Sequence, residues 1–463
     1  MAAASSPTPH SAHKPPVIIA GAGVCGLLLA QYLRKSGVAF RIFERDTDLA
    51  TRGLGWGLTL HWSLTALRTL LPEELVRRLP EAYADRAAVA NGQASAFPFY
   101  DLATVDRVSA APFAPEARRI RVTRDGFRRI LATSVDIEWG KAVSEFETSF
   151  SSSQAAGRDS DSDGKEEEVV TVHFDDGSSC TGSLLVACDG ARSRVRRALF
   201  AAQPTYQIPI RVLGLRVDCT PDQIAPLRTL DPFFLQGTSS VNDTYVYFSI
   251  LDAPGNHGPE EGVNKYSLQV VVSWPIRAGY LGHTQPIPVP ATDAEGIALI
   301  KTFASTWADP FRAAVLDTLP LEDDEEGVRR TQVKSLDLHD WAPPSGFRTT
   351  GRVALVGDAF HPMSMYRGEG ANHAIVDCLE LVNTVIAPHF VNHSTEPSSM
   401  NLRTSLDRYE DTVVSRTRPA VLASRQACID AHEWGRIKPE SPLLSRRAMM
   451  VDFDEEKDLY LPW

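Results

Sequence analysis

Three glycines near the start of the chain, Gly21, Gly23 and Gly26 in the sequence GAGVCG, have the spacing of a turn that binds phosphate groups. In such a turn the first glycine permits a tight bend, the second lets the backbone approach a diphosphate, and the third lets the next helix pack close to the preceding strand. Unpaired N–H groups and the helix dipole then favour an anion at the start of that helix. The spacing therefore predicts a dinucleotide site.

The segments around this turn support the same interpretation. A β-branched run over 17–20 precedes it, apolar residues with helical spacing follow over 27–36, and a second strand is predicted over 39–43. Glu44 closes the second strand, where a carboxylate accepts hydrogen bonds from ribose hydroxyls and disfavours a 2′-phosphate. The sequence therefore predicts a strand–helix–strand unit that holds FAD or NAD tightly, not NADP.

Two later segments also place an aspartate at the end of a buried-type strand. Asp189 follows a strand predicted over 184–188, in LLVACDGARSRVRR. Asp358 follows a strand predicted over 353–356, in RVALVGDAFHPMSMYRGEGAN. A carboxylate at Asp358 can accept hydrogen bonds from the polyol hydroxyls of a flavin. These segments therefore extend the predicted nucleotide site beyond the first turn.

The glycine-rich segment after Asp358 opens a further helix. Gly368, Gly370 and Ala371 give the start of this helix, predicted over 371–387, little side-chain bulk. A helix N-terminus can face the electron-rich pyrimidine end of a flavin and stabilise its anionic reduced form. Together the three motifs favour FAD as the tightly held nucleotide.

With these motifs in this order, the sequence resembles the FAD-dependent aromatic hydroxylases, the group A flavin monooxygenases of the 4-hydroxybenzoate and salicylate hydroxylase type. It is most similar to their filamentous-fungal branch, which oxidises phenolic, polyketide or indole natural products, and the resemblance runs from about residue 17 to residue 430. Arg124 opens RDGFRRIL, similar to a helix start in which the family's arginine bridges flavin and phosphate. The FAD contacts that the resemblance implies are Gly21, Gly23, Gly26, Glu44, Gly57, Arg124, Asp358 and Ala371, and Asp189 and Gly370 complete the predicted cofactor site.

The sequence departs from the family at two positions of its third motif, which usually reads His-Pro-x-x-Pro-x-x-Gly-Gln-Gly. Met365 replaces the second proline. In the family that proline helps to fix the backbone turn that lines the substrate pocket, so the substitution puts the presence of this fixed turn in doubt. Glu369 replaces the glutamine. Its carboxylate either lies near the flavin or faces solvent, and the sequence leaves both open.

The resemblance implies a monooxygenase that uses NADPH or NADH as a transient hydride donor, because the chain has no second GxGxxG motif. In this family reduced FAD reacts with O2 to form a C4a-hydroperoxide, which hydroxylates or epoxidises an electron-rich aromatic substrate. Baeyer–Villiger oxygen insertion on the same scaffold and a catalytically silent FAD-binding protein remain as alternatives. The substrate itself is not encoded in any motif.

Two residues of a predicted antiparallel sheet, which alternates over about 205–275, are candidates for substrate activation. In related fungal enzymes an arginine and a tyrosine near the positions of Arg211 and Tyr245 hold the phenolate or carbonyl of the substrate. An arginine stabilises a phenolate by charge-assisted hydrogen bonding, and a buried tyrosine hydroxyl requires a partner. A surface ion pair for Arg211 and sheet packing for Tyr245 are the alternatives.

Composition excludes several other classes. The chain has 463 residues, 47 Lys+Arg against 58 Asp+Glu, and a net charge of −11, which argues against nucleic-acid binding. The acidic balance and the aromatic residues favour a neutral or cationic aromatic substrate. Six cysteines without paired spacing predict a cytoplasmic protein. No apolar run is long enough to span a membrane, and no cluster has metal-ligand spacing, so neither a membrane nor a metal is expected. The sequence leaves open whether the protein is a monomer or a homodimer.

The predicted fold class is α/β, α+β overall, with a Rossmann-like FAD-binding domain interleaved with an antiparallel β-sheet substrate domain and followed by C-terminal helices. The FAD-binding domain is assigned residues 17–80, 119–204 and 336–388, and the substrate domain residues 81–118 and 205–335. Flanking these are a flexible N-terminus over 1–16 and C-terminal helices over 389–463, and a low-complexity loop over 148–168 interrupts a β-hairpin.

Overall fold

The structure is a computed structural model that describes residues 15–461 except 54, 113, 152–166, 257–263, 321–323, 325–326, 328–330 and 392–399. Residues 1–14 of the predicted flexible N-terminus and residues 152–166 of the predicted loop lie outside this described part. The strands are β1 (Val17–Ala20), β2 (Phe40–Glu44), β3 (Gly57–Leu60), β4 (Phe99–Asp101), β5 (Arg107–Ser109), β6 (Ile120–Thr123), β7 (Ile137–Trp139), β8 (Val143–Ser151), β9 (Glu167–Phe174), β10 (Ser179–Gly182), β11 (Leu184–Ala187), β12 (Tyr206–Cys219), β13 (Phe234–Thr238), β14 (Tyr245–Asp252), β15 (Tyr266–Pro275), β16 (Val333–Asp340) and β17 (Val353–Leu355).

The helices are α1 (Val24–Lys35), α2 (Leu64–Leu70), α3 (Glu73–Arg78), α4 (Arg86–Ala90), α5 (Arg124–Leu131), α6 (Arg194–Leu199), α7 (Pro221–Leu230), α8 (Asp293–Ala304), α9 (Phe311–Leu316), α10 (Gly370–Leu381), α11 (Ala387–Phe390), α12 (Leu402–Asp430) and α13 (Glu455–Asp458). A π-helical turn, Val382–Ile386, joins α10 to α11, so the single helix predicted over 371–387 is interrupted. Strands β8 and β9 pair antiparallel on either side of the undescribed segment, as the predicted hairpin requires.

A five-stranded parallel sheet, in the order β17-β11-β1-β2-β7, carries the motifs of the predicted cofactor site. Its central strand β1 is buried at all four residues and pairs in parallel with β2 and β11. The glycine turn follows β1, Glu44 ends β2, Asp189 follows β11 and Asp358 follows β17. Because the carboxyl ends of parallel strands meet at one edge of a sheet, the topology brings all four motifs together.

A seven-stranded sheet, in the order β16-β12-β15-β14-β13-β4-β5, forms the second layer and is antiparallel except where β13 pairs with β4. Its two faces are both covered. One face carries Leu268 and Trp274 in a core with α8 and α9, and the other carries Tyr245 and Val271 in a separate core. The α/β cofactor layer and the antiparallel sheet confirm the predicted fold class, and β16 extends this sheet to Asp340.

The long helix α12 packs against both sheets. Near its start the Tyr409 hydroxyl donates a hydrogen bond to the Leu355 carbonyl of β17 (2.8 Å). Near its end the Arg425 guanidinium pairs with Asp340 of β16 (Nε–Oδ2, 2.9 Å). One helix therefore fixes the relative position of the parallel and antiparallel sheets.

Within the described part of the chain, every helix is either too short or too polar to cross a lipid bilayer.

Candidate flavin and substrate site

The glycine turn has the steric requirements that its spacing predicts. Gly21 adopts φ +104°, and a methyl group built on it would lie 2.4 Å from the Cys188 carbonyl oxygen. A methyl group on Gly26 would lie 1.9 Å from the Gly21 carbonyl oxygen, so α1 packs directly on the turn. By contrast, a methyl group on Gly23 would have no neighbour within 4 Å. Protein atoms therefore pack tightly against the turn at Gly21 and Gly26, whereas the space beside Gly23 contains no protein atom and is available to a ligand.

Glu44 is buried (4% exposed) behind this turn. Its Oε2 accepts a hydrogen bond from the Ala22 N–H (2.7 Å), and its Oε1 accepts one from the Asp46 N–H (3.2 Å). Oε1 also accepts from Arg52 Nη2 (3.4 Å), so of about four acceptor positions Glu44 keeps one, on Oε2, for a ribose hydroxyl while it holds the turn in place.

Two arginines of α5 reach the same edge of the sheet. Arg124 makes no side-chain hydrogen bond within the described residues, and burial, together with Arg52 and Arg128, lowers the pKa of its guanidinium. Arg128 is 2% exposed; its Nε donates to the Ala22 carbonyl (2.9 Å), and its Nη2 is buried without a partner among the described residues. Both side chains place unsatisfied N–H donors beside the turn. Arg128 was not singled out in the sequence, although it lies four residues after Arg124 and therefore on the same helix face.

The two aspartates differ in their surroundings. Asp189 accepts the Arg194 N–H at Oδ2 (2.9 Å), while its Oδ1 is buried with no partner in the described part. Desolvation by the surrounding protein raises the pKa of the Asp358 carboxyl, against the opposing effects of His361 and Arg124. Asp358 nevertheless remains accessible to solvent. Both carboxylates offer acceptors to a ligand in this cleft.

Gly370 and Ala371 begin α10 next to Asp358. A methyl group on Gly370 would lie 4.0 Å from Asp358 Oδ1. The first N–H groups of a 12-residue helix such as α10 have no intrahelical partners. The predicted polyol-binding carboxylate and the predicted flavin-facing helix start are therefore neighbours.

Gly57 in β3 brings the cofactor layer against the antiparallel sheet. A methyl group on it would lie 2.1 Å from Nη2 of Arg121, whose guanidinium donates to Thr59 Oγ1 (2.9 Å) and Ser249 Oγ (2.7 Å). The Gly57 N–H itself donates to Gln269 Oε1 (3.1 Å). Glycine at this position lets the strand approach the sheet closely.

A buried polar network supports the third motif from behind. Asp377 of α10 accepts hydrogen bonds from His361 Nε2 (2.6 Å) and the Gly357 N–H (2.8 Å) at one oxygen, and from Arg416 Nη2 of α12 (2.6 Å) at the other. Burial alone would raise the pKa of Asp377, but its interactions with His361 and Arg416 lower it well below the usual range. The network therefore fixes the turn that presents Asp358.

A cavity of about 720 Å³ lies beside this motif. Trp62, Phe97 and Phe99 supply aromatic walls, and residues 443–447 close one side. His61, which also lines the cavity, donates its backbone N–H to Asn372 Oδ1 of α10 (3.0 Å), and the Trp62 ring contacts that of His373 (4.8 Å between centroids). Two residues of the cavity lining therefore contact the first turn of α10.

The structure separates the two residues that were expected to act together on the substrate. Tyr245 pairs with Ser273 in the sheet, whereas Arg211 pairs with Trp274, so the two side chains lie on opposite faces. Arg211 forms an ion pair with Asp337 (3.3 Å), whose side chain is 53% exposed. Arg211 therefore lies on the face with α8 and α9, and it is not among the residues that line the cavity.

Tyr245 lies on the cavity side of the sheet but is itself buried (3% exposed). Its hydroxyl donates to Gln236 Oε1 (3.1 Å), and Gln236 lines the cavity. Behind Tyr245, the Tyr366 hydroxyl donates to Ser273 Oγ (2.8 Å), which lies 2.9 Å from His432 Nε2. Tyr245 therefore reaches the cavity through Gln236, a residue that the sequence offered no reason to select.

The residues of this cleft fit FAD. The open side of Gly23 leaves room for a diphosphate, Arg124 and the buried Arg128 Nη2 offer donors, and the acceptors of Asp189 and Asp358 remain available. Buried polar atoms without partners are rare in proteins, and two of them in the described residues, Arg128 Nη2 and Asp189 Oδ1, lie at this edge of the sheet, as a polar ligand there requires.

Comparison with known proteins identifies the family. A protein of Arthroderma benhamiae named "Probable FAD-dependent monooxygenase" is 39% identical over 454 residues, covering 96% of this chain and 97% of that protein. The FAD-dependent monooxygenase dbaB of Emericella nidulans is 37% identical over 378 residues, covering 80% of this chain and 87% of that protein. No protein-family model matches the sequence. With such identity over nearly its whole length, the chain belongs to the FAD-dependent monooxygenases and is a flavin-dependent oxidoreductase.

Solved structures show the same fold at lower sequence identity. Salicylate hydroxylase in a substrate complex superposes with a TM-score of 0.62 at 19% identity, covering 93% of this chain and 92% of that chain. The 2,6-dihydroxypyridine-3-hydroxylase of Arthrobacter nicotinovorans superposes with a TM-score of 0.63 at 17% identity, covering 95% of this chain and 97% of that chain. These likenesses establish the architecture of the two layers.

Proposed function

We propose that this protein consumes NADPH or NADH and transfers one oxygen atom from O2 to an electron-rich aromatic natural product, by hydroxylation or epoxidation. The observation that carries the proposal is the cavity of about 720 Å³, which has aromatic walls and is attached to the start of α10. A cavity of this size is typical of small-molecule sites. The names of the two solved hydroxylases, both for aromatic substrates, support the same substrate class.

The reaction balances with one nicotinamide donor and one O2 for each substrate molecule. NAD(P)H gives up two electrons, one oxygen atom enters a C–H or C=C bond of the substrate, and the other leaves as water. FAD, when bound, supplies the redox chemistry that couples these steps. The residues proposed to hold it are Gly21, Gly23, Gly26, Glu44, Gly57, Arg124, Asp189, Asp358, Gly370 and Ala371.

The chain's own contribution at the cavity is to orient the substrate and exclude water. Because Gln236 Oε1 accepts the Tyr245 hydroxyl, the amide N–H groups of Gln236 are left to donate to a substrate oxygen. We assign Gln236 the direct contact and Tyr245 a positioning role. Trp62 and Phe99 provide flat apolar surfaces on which an aromatic ring packs.

The test of this function is an anaerobic rapid-mixing experiment on the FAD-loaded protein. NADPH or NADH is added with and without phenols, naphthols and indoles, and the loss of the flavin's visible absorbance is followed. We expect one class of aromatic compound to accelerate reduction, and the re-aerated sample to contain a product heavier by one oxygen atom. The proposal would be refuted if neither donor reduced the flavin with any of these compounds. It would also be refuted if O2 reoxidised the reduced flavin and no oxygenated product formed.

The opposite placement of Tyr245 and Arg211 gives a paired prediction. Replacing Tyr245 by phenylalanine removes one buried hydrogen bond, worth about 1 kcal/mol, and frees the Gln236 side chain to turn. We expect KM for the aromatic substrate to rise roughly fivefold, with a fall of only about 2 °C in the Tm of the protein. Replacing Arg211 by alanine should leave both kcat and KM unchanged, because its ion pair lies on the far face. A loss of turnover in the Arg211 variant alone would contradict this assignment.

A further inference from the structure

The C-terminal segment 442–448 is bound to the third motif by two buried side chains. Arg367 is 1% exposed, and its Nε donates to Glu369 Oε2 (2.7 Å). The Arg367 guanidinium also donates to Ser445 Oγ (2.7 Å) and to the carbonyls of Pro442 and Arg446. Glu369 Oε1 in turn accepts the Ala448 N–H (2.9 Å). The glutamate that departs from the family motif therefore faces neither solvent nor open cleft; it fastens the C-terminal segment.

This fastening places Arg447 at the cavity wall. Its Nε donates to the Arg367 carbonyl (3.2 Å), its Nη1 to the Ser445 carbonyl (2.7 Å) and its Nη2 to the Tyr366 carbonyl (3.4 Å). Three of its five N–H groups are thus used, and all three go to neutral acceptors. Within the described residues Arg447 has no carboxylate in an ion pair. One N–H on each terminal nitrogen is left for a ligand.

The charges around Arg447 are predominantly positive. His61, which lines the cavity, shows this in its pKa. Burial first, and then the charges of Arg119, Arg447 and Arg367, lower the pKa of His61 to about 3, so its imidazole is neutral. Glu369 faces Arg447 but is paired with Arg367. Burial and the neighbouring Arg367 lower the pKa of Arg447 to about 10, which keeps its guanidinium charged at neutral pH.

Two carboxylates close to Arg119 of the cavity wall, Glu116 and Asp231, have partners within the protein. Glu116 accepts a hydrogen bond from the Tyr83 hydroxyl. Asp231 accepts from Ser95 Oγ (2.9 Å) and from the Ala96 N–H (2.9 Å). Of the described residues that line the cavity, several are arginines and none is an aspartate or glutamate. The cavity is therefore complementary to an anion, although the chain as a whole is acidic.

We propose that Arg447 binds a carboxylate of the aromatic substrate, and that the Arg367–Glu369 pair positions the C-terminal segment for this contact. The inference rests on the proposed function and deepens it by naming the substrate's charge. It replaces the expectation of a neutral or cationic substrate that the overall charge had suggested. Arg447 acts as a specificity residue, and Glu369 as a positioning residue.

The test compares matched acids and amides on the FAD-loaded protein by isothermal titration calorimetry. Salicylate is paired with salicylamide, and a hydroxynaphthoate with the corresponding hydroxynaphthamide. We expect each acid to bind about tenfold or more tightly than its amide, as a charge-assisted hydrogen bond predicts. Arg447→Met should remove this preference, Arg447→Lys should retain part of it, and Arg408→Met, which removes an exposed charge on α12, should leave it unchanged.

Glu369→Gln distinguishes positioning from general stability. It restores the family's residue but removes the charge that holds Arg367, so the C-terminal segment should lose its fixed position. We expect acid binding to weaken while amide binding stays constant, whereas a merely destabilised protein would bind both less tightly. Equal binding of acid and amide by the wild type, no binding of either acid, or an unchanged preference in Arg447→Met would each overturn the proposal. Acid-selective binding without flavin reduction by NADPH or NADH would leave the anion site standing and refute the proposed function.

Discussion

A Gly23→Ala variant should fold normally and purify without bound FAD. The added methyl group meets no protein atom within 4 Å, and the φ of −78° at Gly23 is one that alanine adopts easily. The space it occupies is the space that a diphosphate requires at the start of α1. A displaced diphosphate loses charge-assisted hydrogen bonds worth about 1.5–3 kcal/mol each, so we expect FAD affinity to fall roughly 100-fold. The measurement is fluorescence titration of the apoprotein with FAD.

Gly26→Ala is the matched control three residues later. Its methyl group would lie 1.9 Å from the Gly21 carbonyl oxygen, a contact that backbone atoms cannot relieve without moving α1 off the turn. We expect the free energy of unfolding of the apoprotein, measured with urea, to fall by about 3 kcal/mol. This loss is independent of FAD binding. Comparison of the two variants therefore distinguishes a loss of space for the ligand, at Gly23, from a loss of protein packing, at Gly26. If Gly23→Ala bound FAD as tightly as the wild type, the diphosphate would have to lie elsewhere.

The cofactor edge could be predicted because its signals are local in the sequence. A β-branched strand, a glycine turn, an amphipathic helix and a terminal acid specify a strand–helix–strand unit within about 30 residues. The same logic of strand ends placed Asp189 and Asp358 at one edge of the parallel sheet, where the structure has them. Nothing in that pattern could reveal Arg128, because its unpartnered Nη2 depends on how α5 lies across the turn.

The substrate side was less predictable, since sheet register and long-range packing decide it. An alternating strand indicates two faces but not which face turns toward the cofactor layer, and a shift by one residue exchanges them. Arg211 was assigned to the substrate in this way, and the observed pairing with Trp274 puts it on the other face. The C-terminal segment had no interpretable pattern, yet its residues 443–447 form a wall of the cavity. Its partner Glu369 was conspicuous as a departure from the family motif, but only the fold shows what it holds.

Replacing Asp377 by asparagine should produce the largest loss of stability of any single change considered for this protein. Asp377 is fully buried and accepts hydrogen bonds from His361, the Gly357 N–H and Arg416. Asparagine keeps the shape but removes the charge and turns one acceptor into a donor, so Arg416 retains only the partly exposed Glu380 as its counter-charge. Removing one partner of a buried charge pair costs about 3–5 kcal/mol. Urea unfolding of the apoprotein at neutral pH measures this difference directly.

Glu380→Gln is the control, because Glu380 pairs with the same Arg416 Nη2 (2.8 Å) from a partly exposed position. We expect it to cost about 1 kcal/mol or less. The pH dependence supplies a second check on Asp377. Its pKa in the folded protein lies below the usual 3.8, so its stabilising effect is complete at neutral pH and declines as the pH falls below about 4, where the unfolded chain takes up the proton first. The stability difference between wild type and Asp377→Asn should therefore shrink with acidification. A difference that stayed constant down to acid pH would mean that the carboxylate charge does not hold the third motif in place.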